Sequence, residues 1–317
     1  MAVESSEVEF SEVATDLLAP EGPMALTDGS ILLVETLGGR ITRVTPDGSR
    51  VTVAEPGGGP NGLAFGPDGK VYVCNNGGLT EDDIAWLSSP EPETYERPVR
   101  PYEGRIEVLD LDTGAADVLY EGADGEKLSA PNDIVFDAEG GFYFTDFGSL
   151  FHRGPQPGGL YYAQPDGTDI RRLAAPLYRA NGVGLSPDGE HVYVSETMSG
   201  RVWAFDVIGP GQIRTGEGEG CGGRLVCEVV GAGWDSLAVE EDGRISVAGT
   251  LGDYVGRVSP DDGSVIRVPT PNAMFPTNIC FGGPDRRTAY VTLRGGAGLL
   301  LTARWPVAGT PLHFHPY

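Results

Sequence analysis

A chain of 317 residues with 46 acidic against 22 basic side chains carries a formal charge of −24. A field of that sign repels phosphate backbones and excludes nucleic acid as an expected partner. Gly 48 and Pro 25 beside 40% hydrophobic residues describe many short strands and tight turns rather than disorder. No apolar run reaches the roughly 18 residues of a membrane span, and residues 1–7 are acidic, without the basic-then-apolar pattern of a leader. The expectation is therefore a cytoplasmic protein with no membrane partner. Four cysteines are too few for a disulfide framework. Cys221 and Cys227 flank a turn at 222–224 across which a pair is geometrically open, but reduced thiols are expected without secretion. Cys74 and Cys280 fall inside apolar strands and read as core.

Taken in order, the chain repeats one hairpin six times. A polar residue opens a short apolar strand, and an acidic residue followed by glycine closes it seven positions later. Glu21 leads to Asp28-Gly29, Asn61 to Asp68-Gly69, Asn132 to Glu139-Gly140, Asn181 to Asp188-Gly189 and Asp235 to Asp242-Gly243. Asn278 leads to Asp285, where Arg286 replaces the glycine. Second strands follow at 31–34, 71–74, 142–145, 192–195, 245–248 and 289–292. Third strands are announced by Gly-Arg at 39–40, 104–105, 200–201 and 256–257, and fourth strands are read at 50–54, 116–120, 170–174, 225–229 and 265–268. A repeat of this length and purely β character predicts an all-β, six-bladed β-propeller of four-stranded blades. It uses residues 1–317 as a single domain. After the strand at 299–303 the sixth blade lacks a fourth strand, and residues 8–18 are expected to supply it, closing the ring and removing a sheet edge.

This register puts Glu21, Asn61, Asn132, Asn181, Asp235 and Asn278 on one face around the axis. Glu35, Asn75, Asp146 and Glu196 stand behind them at the ends of second strands. The connection 75–103 is long enough to be functional, and its place over the ring predicts a lid carrying Trp86 and Tyr95. Residues 146–159, with His152, form a shorter flap on the same side. Asx residues commonly cap strands and turns. One oxygen donor at the same position in all six blades instead suits a hard divalent cation, since two carboxylates balance its charge and amides complete the coordination. No His or Cys is placed in the ring, which disfavours zinc.

The segments 21–23, 130–135 with 144–146, 180–182 with 186–189, and 234–239 resemble the regucalcin/gluconolactonase/luciferin-regenerating enzyme family, the senescence-marker-protein-like propellers, and are closest to its bacterial gluconolactonase-like branch. The resemblance implies a six-bladed propeller with one axial divalent cation. Ca²⁺ is expected first, with Mg²⁺, Mn²⁺ or Zn²⁺ as alternatives. It assigns Glu21, Asn132, Asn181 and Asp235 to the metal, and gives Asp235 general-base or nucleophile duty as well. The chain departs from the family at Ala130, where sugar lactonases carry arginine, at 75–78 and at Phe147. These departures argue against an aldonolactone and leave the hydrolytic residues in place.

The expected activity is metal-dependent lactone hydrolysis on a small-molecule substrate. The cation polarises the carbonyl and Asp235 acts as base or nucleophile. Asn61, Asn278, Asn75, Asp146, Trp86, Tyr95 and His152 are the expected substrate contacts, His152 as a proton shuttle. Two rival classes share the scaffold: an isomerase, cyclase or alkylating enzyme of secondary metabolism, and a propeller binding module.

Overall fold

The computed structural model describes residues 4–5, 8–78, 103–148, 157–214, 220–271 and 275–316. Six small antiparallel sheets follow one another around a ring, and among the described residues no connection is helical beyond one 3₁₀ turn at Thr36–Gly38. Blade one is Pro20–Ala25, Ile31–Glu35, Arg40–Val44 and Arg50–Ala54; blade two is Pro60–Phe65, Val71–Asn75, Arg105–Leu109 and Ala116–Tyr120. Blade three is Pro131–Phe136, Phe142–Asp146, Gly158–Ala163 and Ile170–Leu177. In blade four Ala180–Leu185, His191–Glu196 and Arg201–Gly209 are completed by Arg224–Glu228, with Gln212–Ile213 as a side hairpin. Blade five is Trp234–Val239, Ile245–Gly249, Tyr254–Val258 and Val265–Pro269, with Glu4–Ser5 added in parallel at its edge.

Blade six consists of Pro276–Gly282, Thr288–Leu293 and Leu299–Arg304, and its fourth strand is Phe10–Ala14 from the other end of the chain. The expected closure therefore forms, on five residues rather than the whole of 8–18. Two features go beyond the expected pattern: a third strand in blade three without a Gly-Arg signal, and a two-stranded hairpin at Gly122–Ala123 and Glu126–Lys127. The turn that lost its glycine keeps its shape. Arg286 takes φ 50°, as Gly29, Gly69, Gly140, Gly189 and Gly243 take φ 72–93° in the same role. Its backbone N–H donates to Gly283 O at 3.0 Å and its Nε to Gly309 O at 2.9 Å, which holds the left-handed backbone.

Burial falls from the axis outward. Second strands such as Ile31–Glu35 and Phe142–Asp146 are buried at every residue because neighbouring blades cover both faces, whereas Arg50–Ala54 is mostly exposed. The core is correspondingly divided between blades. Tyr193, Val202 and Ala204 of blade four pack with Trp234, Leu237 and Tyr254 of blade five, and a second cluster joins Leu32 and Ile41 to Leu63 and Val73. No described helix is long and apolar enough to cross a membrane. All four cysteines are unpaired thiols, three of them buried and Cys280 half-buried.

Candidate active site at the propeller axis

Each first strand is irregular at the same place. The ladder shifts after Glu21, and between Pro60 and Leu63, Pro131 and Ile134, Ala180 and Val183, Trp234 and Leu237, and Pro276 and Asn278. A bulge re-aims the side chains beside it, and here it directs the polar residue of every blade towards the axis. The strands can converge because glycine follows several of these residues. A Cβ on Gly22 would lie 2.2 Å from Asn61 O, and one on Gly62 2.6 Å from Asn132 O.

Second-strand hydroxyls lock the convergence. Thr145 Oγ1 accepts from Asp133 N and donates to Asn181 O in the next blade; Ser195 Oγ accepts from Gly182 N at 2.8 Å and donates to Asp235 O at 2.7 Å. In blade six a first-strand hydroxyl plays this part: Thr277 Oγ1 donates to Pro20 O at 2.8 Å, across the closing seam.

Glu21, Asn61, Asn132, Asn181, Asp235 and Asn278 are all buried. Glu21 Oε2 accepts from Gly22 N at 2.6 Å and Asn278 Nδ2 at 2.8 Å. Burial raises the Glu21 carboxyl well above its ordinary value, and the negative field of Asp235 adds to this. Burial lifts Asp235 to about 6, against the lowering effects of the Arg294 charge and a hydrogen bond from Asn181. The Asn181 amide also donates to Thr197 Oγ1 at 3.0 Å and accepts from Ser236 Oγ at 3.3 Å.

A third carboxylate joins them that sequence reasoning missed. Asp133, next to Asn132, is buried and pushed to about 7 by burial, with Asp235 as a further repulsive charge. Its oxygens accept from Ile134 N at 3.0 Å and Val183 N at 3.1 Å, tying blade three to blade four. The signal was available: where the other five residues of the ring precede glycine, serine or isoleucine, Asn132 precedes a carboxylate. Two amide oxygens of the ring, Asn61 Oδ1 and Asn132 Oδ1, are buried with no hydrogen-bond partner. Orphaned acceptors beside mutually repelling carboxylates are the donor set a hard cation fits. Among the described residues no three His, Cys, Asp or Glu side chains form a metal-binding group by themselves, so the amides are needed to complete one.

Other expected contacts are placed elsewhere. Asn75 donates to Gly57 O and Glu107 Oε2, both at 2.9 Å, and accepts from Gly59 N and Gly77 N. Asp146 accepts from Ser129 N, Ala130 N and Gly148 N at 2.7–2.9 Å. Both side chains clamp the backbone entering a first strand, and Glu35 and Glu196 do the same for Leu18 N and Tyr178 N. Their polar atoms are engaged by the fold rather than turned to a substrate. Asn278 is similarly held by Glu21 and by Ile279 N. Trp86, Tyr95, His152 and most of the lid at 75–103 lie outside the described residues.

Beneath the ring, a cavity of about 360 Å³ continues along the axis, with Gly22, Asp133 and Asn278 at its upper end and Leu63, Val183, Leu237 and Ile279 in its wall. The C-terminal segment closes it from the opposite face. Trp305 Nε1 donates to Glu240 Oε1 at 3.0 Å, and Thr310 N to Val239 O at 2.8 Å. His315 sits edge-on to Phe65 at 5.5 Å between ring centres, and burial pushes it down to about 4.

The profile of the SMP-30/gluconolactonase/LRE-like region matches residues 19–295, every blade included. The chain belongs to that family. Among curated members, it is 26% identical over 218 residues to a gluconolactonase of Zymomonas mobilis, covering 62% of this chain and 54% of that protein. Against the lactonase drp35 of Staphylococcus saprophyticus it is 29% identical over 202 residues, 63% and 55% of the two chains. The chain thus spans about half the length of these two curated relatives. Solved structures of the family share the fold. The XC5397 gluconolactonase of Xanthomonas campestris superposes with a TM-score of 0.72 at 21% identity, over 95% of this chain and 91% of that one. The calcium-binding regucalcin of Agrobacterium tumefaciens does so with 0.73 at 18% over the whole of both.

Proposed function

We propose that the protein is a metal-dependent lactonase, opening a cyclic ester at the axial ring. The observation that carries this reading is the pair of buried, partnerless amide oxygens, Asn61 Oδ1 and Asn132 Oδ1, facing buried carboxylates. Lactonase and gluconolactonase relatives support the same reaction class. Glu21, Asn132, Asn181 and Asp235 would hold the cation, with Asn61 adjacent. When bound, a divalent cation of the Ca²⁺ type supplies Lewis-acid polarisation of an ester carbonyl and charge for the developing oxyanion.

The chain's own residues do the rest. Asp235 takes the proton of the attacking water, or attacks directly. Asn181 fixes its orientation by donating from its amide nitrogen to both Asp235 and Thr197. Asn278 positions Glu21. The whole of residues 1–317 acts as one domain.

The test joins metal analysis to turnover. Purified protein dialysed against Ca²⁺ is expected to retain about one ion per chain, and to release acid from γ- and δ-lactones followed with a pH indicator, with chelator stopping both. Retained metal with no acid from any lactone would overturn the hydrolase reading in favour of a non-hydrolytic reaction at the same ring. Absence of metal uptake would overturn the site.

A further inference from the structure

We propose that Arg179 and Arg294 form an anion-recognition pair at the mouth of the ring, so that the substrate is a lactone carrying a carboxylate. This rests on the lactone-opening reading of the site.

Arginines at the ring-face ends of strands are otherwise matched to acids. Arg40, Arg105 and Arg201 each lie 2.7 Å from a glutamate, Glu35, Glu107 and Glu228 respectively. Lys127, on the same side, pairs with Glu121 at 3.7 Å. In a chain with 46 acids for 22 bases, such pairing is the expected outcome. Arg179 and Arg294 break it, for neither pairs with a described carboxylate. Arg179 is half-buried at the entrance of blade four. Its guanidinium is held by Phe147 O at 3.3 Å and by the face of the Phe147 ring at 5.1 Å, so it keeps donors free while bearing the cost of burial.

Arg294 follows the second strand of blade six. Equivalent positions elsewhere are Thr36 and Thr197, whose hydroxyls bond the next blade at Pro60 O and Trp234 O, and Asn76, Phe147 and Thr250. Only here does that position carry a charge. The backbone of Arg294 is tied to Phe275 O at 3.0 Å while its side chain is exposed. Its charge is felt at Asp235, the residue expected to act on the ester. Blade order runs from one to six around the axis, so Arg179 at the entrance of blade four and Arg294 in blade six stand on the same face of the ring, on either side of blade five. An ester held at the ring would carry its substituents into this gap. Two guanidiniums there suit a carboxylate, which a fork of N–H donors binds with charge-assisted hydrogen bonds. Against a net charge of −24, a local cationic pair is also what an anionic substrate needs in order to approach.

The experiment compares γ-butyrolactone with the same ring carrying a carboxylate at the γ carbon, using the metal-loaded full chain. The carboxylated lactone is expected to show kcat/KM at least about tenfold higher. Arg179→Gln and Arg294→Gln should each reduce that preference about tenfold or more, chiefly through KM. Salt at about 0.5 M should shrink it as well, whereas Arg201→Gln should leave it intact. Arg179→Lys, which keeps the charge, guards against misreading a folding defect and should retain part of the preference. Equal or better use of the neutral lactone by the wild type, or equal losses on both lactones in the variants, would overturn the pair. If neither lactone opens, the hydrolase reading fails by itself and calorimetry with glutarate decides the present one. Binding weakened about tenfold in both variants supports it, and binding that is absent or unchanged by them overturns it.

Discussion

Two buried acidic centres lie within one molecule, and their construction is opposite. At the C-terminal closure, Glu240 is fully buried and every oxygen is answered: Oε1 by Ser246 at 2.7 Å, Arg257 Nε at 2.8 Å and Trp305 Nε1 at 3.0 Å, and Oε2 by Arg257 at 2.5 Å. At the axis, Glu21, Asp133 and Asp235 repel one another, no described arginine contacts them, and two neighbouring amide oxygens have no partner. A carboxylate neutralised by a guanidinium and hydrogen bonds holds a fold together. Carboxylates that no guanidinium touches, with only the charge of Arg294 acting on Asp235 from outside the ring, hold their places because strands and bulges impose them, and such a site is ready for a cation.

Substitution should separate the two centres. The largest effect is expected for Asp235→Asn, which should reduce lactone turnover by about a thousandfold or more while leaving the metal-free protein at least as stable as the wild type, because a repulsive charge is gone. A fall in melting temperature alongside the lost activity would make Asp235 structural. Glu240→Gln should do the reverse. It leaves Arg257 buried without its counter-ion, at a cost of about 3–5 kcal/mol on chemical denaturation, while molecules that remain folded keep their metal affinity.

The pH response sharpens the contrast. In the metal-free protein Asp133 and Asp235 bind protons more tightly when folded, at about 7 and about 6, than when unfolded, near their ordinary value of 3.8. Between those limits the folded state holds more protons, so stability falls as pH rises from about 5 to 8. With chelator, thermal melts at pH 5 should exceed those at pH 8, and saturating Ca²⁺ should remove or invert the difference. A metal-free protein more stable at pH 8 would contradict the axial repulsion. The smallest effect is expected at the seam. Thr145→Val removes the hydroxyl that links Asp133 N to Asn181 O, and should cost about 1–2 kcal/mol with a modest loss of metal affinity measured by titration.

Much of this was legible from the chain because strand patterns and turns are local. The seven-residue step from a polar residue to an Asp-Gly or Glu-Gly turn located five hairpins outright, and the sixth survived the loss of its glycine because Arg286 is held in the left-handed region by Gly283 and Gly309. The ring residues were legible for the same reason. What they touch was not. Asn75 and Asp146 have the same side-chain types as the ring residues, yet they clamp incoming backbone, a role that depends on which loop passes above a strand end. Asp133 drew no assignment from the sequence, since nothing local shows that Val183 of the next blade supplies its hydrogen-bond donor.

By itself, then, the sequence determined the six-fold repeat, its closure by an N-terminal strand and the set of oxygen donors, because alternating strands and left-handed turns are properties of a few consecutive residues. Only the tertiary structure decided which donors stay without partners, that a third carboxylate joins them, and that Arg179 and Arg294 are left without a described carboxylate partner. Those outcomes depend on contacts between blades, from the 50 positions that separate Asp133 and Val183 to the 257 that separate Glu21 and Asn278.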